Sequence, residues 1–414
     1  MQLTLRQQLT QFAHILQDHL FPKMEEAVGQ LDDTARRLVA VLELIPLARF
    51  VPAARGWIGR PSKDRLAIAC AFVAKAVYGF SLTRQLLDRL QQDAQLRRIC
   101  GWEHAYQVPH ESTFSRAFAE FAQMELPQFV HEALIASTQK DRLIGHIARD
   151  STAIEARERF PEGPKPIGPA KQKADAQRKL ARQRALPDPN QPSQPVTKKR
   201  GSKGPYGPNQ RYKGGKRPYQ PNPQSRLHRQ RSMSLPAMLA DLPRHCSLGV
   251  KTKGDGHQHY WRGYKLHLDV ADGQIPISAI LTAASLHDSQ VAIPLATLTA
   301  QRVTSLYDVM DAGYDATEIY EHSRSLGHVP IIRPVKRQHK EIPFSGREKW
   351  EAREMTPAEQ SRFRERTMVE RVNARLKDEF GGRQIRVRGA AKVMAHLMFG
   401  VLALTADQIL KLVS

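Results

Sequence analysis

The chain has 414 residues, 41% of them hydrophobic, enough to fill the cores of two or three domains and too many for a wholly disordered polymer. Its 63 Lys and Arg against 41 Asp and Glu give a formal charge of +22, which points to a polyanionic partner, either nucleic acid or an acidic membrane surface. Three cysteines, Cys70, Cys100 and Cys246, without a C-x-x-C spacing argue against a disulfide framework or a zinc site and fit a reducing cytosol.

The N-terminal MQLTLRQQLTQFAHIL lacks the apolar core and cleavage site of a signal peptide, and the longest apolar run, Val393 to Leu404, is broken by His396. No membrane partner is expected, and that run reads as a C-terminal packing helix. Residues 1–140 have helical apolar spacing. Runs at 63–78 and 82–90 are helices with Ser62 and Ser81 as N-caps. From Val108 to Ala122, Pro109 ends one element and Glu111 or Ser112 caps the next. Phe114, Phe118 and Phe121 then form an apolar stripe that leaves Ser115 and Arg116 outward. That helix fits a DNA-reading role, with Arg116 as the contact, and equally fits an ordinary bundle member.

Between Arg159 and Arg231 there are 19 Lys and Arg against three acids, together with 13 of the 27 prolines. With so few aliphatic residues this segment cannot offset the entropy of ordering, so a mobile basic arm is expected. It reads either as a solvated linker or as a sequence-independent phosphate clamp, with Tyr206, Tyr212 and Tyr219 available to stack on bases.

Strands take over from Leu143. A strand at 143–149 is followed by a hairpin, 263–271 and 275–284, turned at Asp272-Gly273. Next come a helix at 288–301, a strand at 306–310, a helix at 317–325, a strand at 329–335 and a long helix from Pro357 to Phe380. Antiparallel strands first and alternation afterwards imply a mixed sheet with helices on its faces.

Asp150 follows the first strand, Asp311 follows another, and Glu370 lies on the long helix. Three acids so placed would repel one another unless divalent metal neutralised them, and two Mg²⁺ would suit an in-line phosphoryl displacement. Each has a plainer reading alone: Asp150 as a cap, Asp311 as a turn residue, Glu370 as the i+4 partner of Arg366. Wound at about 100° per residue, Arg366, Lys377, Glu370 and Phe363 share a stripe roughly 60° wide, beside an ordinary apolar face. His287 and Asp288 read as structural, Asp288 capping the helix that starts there. His257, His259 and His267 read as sheet-surface histidines, and Arg383, Arg386 and Arg388 as an extension of a DNA surface.

Phe363-x₂-Arg366-x₃-Glu370-x₆-Lys377 resembles the Y-x₂-R-x₃-E-x₆-K motif of bacterial insertion-sequence DDE transposases, with Phe363 in place of the tyrosine. The resemblance extends to ARDST, GYKLHLDV, LTAASLHDS, DAGYDA and DEFGGRQIRVRG, and to SLTRQLLDRL and HESTFSRAFAEF in the helical half. It implies an α+β or α/β chain. A helical end-recognition domain over 1–140 would precede a ribonuclease-H-like catalytic domain over 141–385, a mixed sheet flanked by helices with a disordered basic insertion at about 160–246. A packing helix over 386–414 would complete it.

By the same resemblance Asp150, Asp311 and Glu370 form the catalytic, metal-binding triad for two Mg²⁺ or Mn²⁺, and Arg366 and Lys377 contact transposon-end DNA. Phe363 keeps a stacking surface but loses the tyrosine's hydroxyl. The expected partner is double-stranded DNA, both transposon ends and target. The expected assembly is a homodimer or larger, with the C-terminal apolar helix as one candidate contact, in the bacterial cytoplasm at the nucleoid. The alternatives are a decayed, non-catalytic DNA-binding protein and a general metal-dependent nuclease.

Overall fold

The computed structural model describes residues 5–51, 64–158, 224–252, 257–334 and 355–412. The basic segment 159–223, Ser62 and the end of the strand expected at 329–335 therefore lie outside the described residues. Helices come first: α1 Leu5–Ile15, α2 Phe21–Val28, α3 Asp33–Leu44, α4 Arg65–Val77, α5 Thr83–Gln92, α6 Ala94–Ile99, α7 Glu111–Gln123 and α8 Leu126–Gln139.

Several caps differ from the sequence reading. Asp64 caps α4, its carboxylate accepting from the Leu66 and Ala67 amides. Ser81 does not cap α5. That helix begins two residues later, and the Gln85 side chain accepts from the Leu82 amide at 3.0 Å. At α7 neither Glu111 nor Ser112 is the cap; His110 takes the position, and its Nδ1 accepts from the Ser112 amide at 3.2 Å. What a cap requires is an acceptor within reach of the first amides, and at α5 and α7 residues outside the usual Ser/Thr/Asp/Asn set, Gln85 and His110, meet that need. The apolar stripe of α7 is as expected: Phe114, Phe118 and Phe121 are buried while Ser115 and Arg116 are exposed. Phe72 of α4 gathers those three rings at centroid distances of 5.8, 4.9 and 6.3 Å, in edge and tilted arrangements.

After the helices come β1 Leu143–Glu155, the short helices α9 Arg226–Gln230 and α10 Leu235–Asp241, and then β2 Ser247–Thr252, β3 Gln258–Ala271 and β4 Ile275–Ala283. The chain continues with α11 Ser289–Ala300, β5 Thr304–Met310, α12 Thr317–Ser325, β6 Val329–Ile332, α13 Pro357–Phe363, α14 Thr367–Asp378 and α15 Ala390–Lys411. The strands form one mixed sheet in the order β4-β3-β1-β5-β6, with β2 on the same edge of β3 as β4. β3 is antiparallel to both of its neighbours, β1 and β4, while β5 runs parallel to β1 and β6 parallel to β5. This helical region followed by a mixed, helix-flanked sheet is the ribonuclease-H-like arrangement. One face is covered by α11, the other by α14 and α15.

Four expectations need correction here. β1 continues through Asp150 to Glu155, so this acid stands inside a strand that β3 keeps extended beyond its apolar core. β2 was not expected, since SLGVKT is short, glycine-containing and solvent-facing at Leu248 and Val250. The end of the proline-rich segment is ordered into α9 and α10, held by Arg226, whose guanidinium donates to Asp241 at 2.7 Å. The helix expected over 357–380 is interrupted: residues 364–366 tighten into a 3₁₀ turn between α13 and α14.

α15 packs against α3, α4, α7, α8 and β4, and its Leu397, Leu402 and Leu404 are wholly buried. It is long and apolar enough to cross a membrane by length and composition, with 83% of its apolar window buried in the core. The apolar residues of this helix, the one offered as a candidate dimer contact, are buried within the chain. Gly400 lets α15 approach α14: a Cβ there would lie 2.7 Å from the Phe380 carbonyl oxygen.

Candidate active site

The parallel pairing of β1 and β5 ends at Arg149 opposite Met310. The next residues are Asp150 and Asp311, so the two acids stand side by side where β5 stops and β1 runs on, a notch at the end of the sheet. Side-chain alternation turns Arg149 and Met310 to the α11 face. There Arg149 makes a bidentate pair with Asp269 of β3, both contacts 2.7 Å, and Thr299 of α11 donates to the same carboxylate at 2.7 Å. Burial alone would pull the Arg149 guanidinium down, but Asp269 and Asp308 push it up instead. Asp308 is held by Ser323 at 2.6 Å and His328 at 3.2 Å. These buried ions fix the strands that carry the two acids.

Burial pushes the Asp150 carboxyl up to about 6, and the charge of Asp311 adds to the rise, while Lys251 and Arg366 oppose it. Asp311 accepts from the Gly313 amide at 2.8 Å, which starts a 3₁₀ turn, Ala312–Tyr314. The 3₁₀ turn at 364–366 packs on β1 and β5, bringing Arg366 over the pair. Its guanidinium donates to Glu370 at 2.7 Å and lies 5.7 Å from the Phe363 ring centroid. Glu370 is exposed, in the first turn of α14. Lys377, half-buried further along α14, is pulled down by burial and by the cations Arg383 and Lys251.

Asp150 and Asp311 thus follow paired residues of β1 and β5, whereas Glu370 is seen paired with Arg366, whose charge acts on Asp150. Among the described residues no group of three or more His, Cys, Asp or Glu stands in a metal-holding arrangement. The donors still fit a divalent cation: two hard carboxylates, one raised by burial and by the other's charge, are relieved by Mg²⁺ or Mn²⁺. Arg116, Arg386 and Arg388 are all exposed and away from this notch in sequence; Arg386 donates to Gln384 at 3.1 Å.

His287 is exposed, its Nδ1 paired with the Ser289 hydroxyl at 2.8 Å. Asp288 stands at the N-cap of α11 but makes no side-chain cap bond; its Oδ1 accepts from Lys265 at 2.9 Å. His257 and His259 are exposed as expected, but His267 is buried and paired with Thr282 at 2.9 Å, because β3 is covered on both faces. Missing from the sequence reading were Lys251, on a strand not foreseen, and Tyr314, quoted only as part of DAGYDA.

Residues 239–406 match the family described as Transposase DDE domain, and residues 23–120 match that described as Transposase domain (DUF772). The first range contains Asp311 and Glu370 and begins after Asp150. No curated protein and no solved structure matches.

Proposed function

Because the chain belongs to the insertion-sequence DDE transposases, we propose that it binds inverted-repeat DNA ends, nicks them by metal-assisted hydrolysis and joins the freed 3′-hydroxyl to a target strand. What supports this reading is that Asp150 and Asp311 directly follow the last paired residues of β1 and β5, with the charge of Arg366, the partner of Glu370, acting on Asp150.

Asp150, Asp311 and Glu370 would hold Mg²⁺ or Mn²⁺, two ions in this reading, which supply activation of the attacking oxygen and stabilisation of the leaving one. The rest falls to the chain itself. An exposed i,i+4 pair such as Arg366–Glu370 contributes only about 0.3–0.5 kcal/mol, so a DNA phosphate can take the guanidinium and free the carboxylate. Arg366 is then an anchor for DNA whose engagement releases the third acid. Phe363 offers a stacking face, and Lys377, Arg386 and Arg388 continue the phosphate track along and beyond α14. Residues 1–140, with Arg116 on α7, would recognise the ends. Residues 141–385, interrupted at about 160–246, would carry the chemistry, and 386–414 would pack the two together. Pairing two ends calls for at least two protomers, at work on DNA in the bacterial cytoplasm.

Labelled end DNA incubated with Mg²⁺ tests this: nicking by the wild type that disappears in Glu370→Gln supports the transposase. Binding without nicking by either protein would show a decayed DNA-binding protein. Equal cutting of random duplex would show a general nuclease.

A further inference from the structure

Behind the acid pair lies a polar group that the chemistry above leaves unused. The Asp288 carboxylate, though positioned to cap α11, bonds instead to Lys265 Nζ at 2.9 Å and to the Ser151 side chain. Lys265 also donates to the Leu286 carbonyl at 2.8 Å, so its ammonium is fixed from two sides. Ser151 follows Asp150 directly, which anchors Asp288 one residue from the first acid.

On the other flank of the notch stands Tyr314, three residues after Asp311. Its ring is 1% exposed, packed among Ala292, Met310 and Ile319, and its hydroxyl has no hydrogen-bond partner among the described residues. Burial first, and then the charges of Asp288, Asp150 and Asp311, push that phenol well above its ordinary range. A buried hydroxyl is seldom left unpaired. Here an unpaired donor lies within electrostatic reach of three carboxylates, and a molecule that bridges such a set accepts from the phenol and donates to a carboxylate. Water does both.

We propose that Tyr314 and Asp288 are positioning residues that orient the water attacking the scissile phosphorus in the nicking step. The inference rests on the transposase reading above. In that step the water oxygen bonds to phosphorus and the P–O3′ bond breaks, its electron pair staying on O3′. A proton of the water passes to a neighbouring carboxylate, and O3′ takes one from solvent. In strand transfer the nucleophile is a 3′-hydroxyl fixed on DNA, so this water is not needed.

The two steps therefore separate the variants. Tyr314→Phe keeps the ring and removes only the hydroxyl; Asp288→Asn keeps the shape and removes the charge. Each is expected to slow Mg²⁺-dependent nicking of intact end DNA by about 10- to 100-fold, the loss of one hydrogen bond to a charged or reacting group. Strand transfer from pre-nicked ends should stay within about threefold of wild type. Nicking and strand transfer falling together, or neither falling, overturns the proposal. If Asp288→Asn melts early because Lys265 loses its partner, Tyr314→Phe decides alone. A wild type that neither nicks nor joins defeats the transposase reading itself, whereas a wild type that does both, with variants showing no split, defeats only this inference.

Discussion

At Asp150 the folded chain works against itself, because its carboxyl is pushed up to about 6 from an ordinary 3.8, first by burial and then by Asp311. The folded state holds this proton more tightly than the unfolded state does. Stability from this group is therefore greatest at low pH, falls as pH rises from about 4 to 6, and stays reduced above. By the usual conversion the penalty at neutral pH is at most about 3 kcal/mol. Two outcomes are expected. Asp150→Asn should unfold at higher urea than wild type at pH 7 in the absence of metal, by about 1–3 kcal/mol. Mg²⁺ should raise the wild-type melting temperature at pH 7.5 far more than at pH 5, since protons and cations compete for the same carboxylates, and should do so little in the variant. A Mg²⁺ response independent of pH would show that the ion binds elsewhere. Arg366 and Glu370 belong to the same account: their i,i+4 pairing was legible from spacing and is seen at 2.7 Å, whereas the tightening of the helix at 364–366 is something no periodicity reveals.

Among the elements, β1, β3 and β5 are locked in place by a buried ion pair rather than by apolar contact alone. Arg149→Met would leave Asp269 charged and wholly buried with only Thr299 as partner, at a cost of about 3–5 kcal/mol in urea unfolding. Replacing both, Arg149→Met with Asp269→Leu, should recover most of that loss, since hydrophobic side chains of similar volume substitute well for a buried pair. A double variant no more stable than the single one would mean that the pair does more than satisfy itself. Neither charge was legible as buried, for Arg149 sits in a short apolar strand and Asp269 in GYKLHLDV, where alternation gives a face but not what covers it. The β3–β4 hairpin was legible because Asp272-Gly273 supplies its turn, Gly273 at φ +84 and Gln274 at φ +62. β3 depends equally on Gly263, φ +152, where any Cβ would collide with the Ile154 carbonyl of β1. β2 and the caps at Asp64 and His110 were not legible. The strand is made by pairing with β3 rather than by its own residues, and the caps by acceptors that fall near an amide only once the helix exists.

Across the whole molecule, one hydrophobic cluster runs from the N-terminal helices through α15 into the sheet, so the helical and catalytic halves share a core. Polar residues trapped in that shared core set its response to acid. His131 of α8 is wholly buried, its Nε2 within 3.1 Å of the Pro276 carbonyl of β4 and 3.2 Å of the Thr405 hydroxyl of α15, and burial, then Arg302, push it down to about 3. His396 of α15, against the Gly381 carbonyl at 3.0 Å, and His267 of β3 are each pushed down to about 4 by burial. These rings stay neutral when folded and would take a proton near pH 6.5 once unfolded. Below pH 6.5 the unfolded chain therefore binds more protons, and stability is full above that value and lost as pH falls toward 4. At pH 5 each such histidine costs about 2 kcal/mol, and three together rival the 5–15 kcal/mol that holds a typical domain. Asp150 acts in the opposite direction over the same window but is a single group. The protein should therefore lose most of its urea resistance between pH 6.5 and pH 5, before ordinary carboxylates titrate. His131→Gln, which preserves a donor for Pro276 and cannot be protonated, should flatten that slope by about one third. An unfolding midpoint unchanged from pH 7 to pH 5 would mean that the shared core opens to water without global unfolding, and that the helical and catalytic halves are joined less tightly than their packing implies.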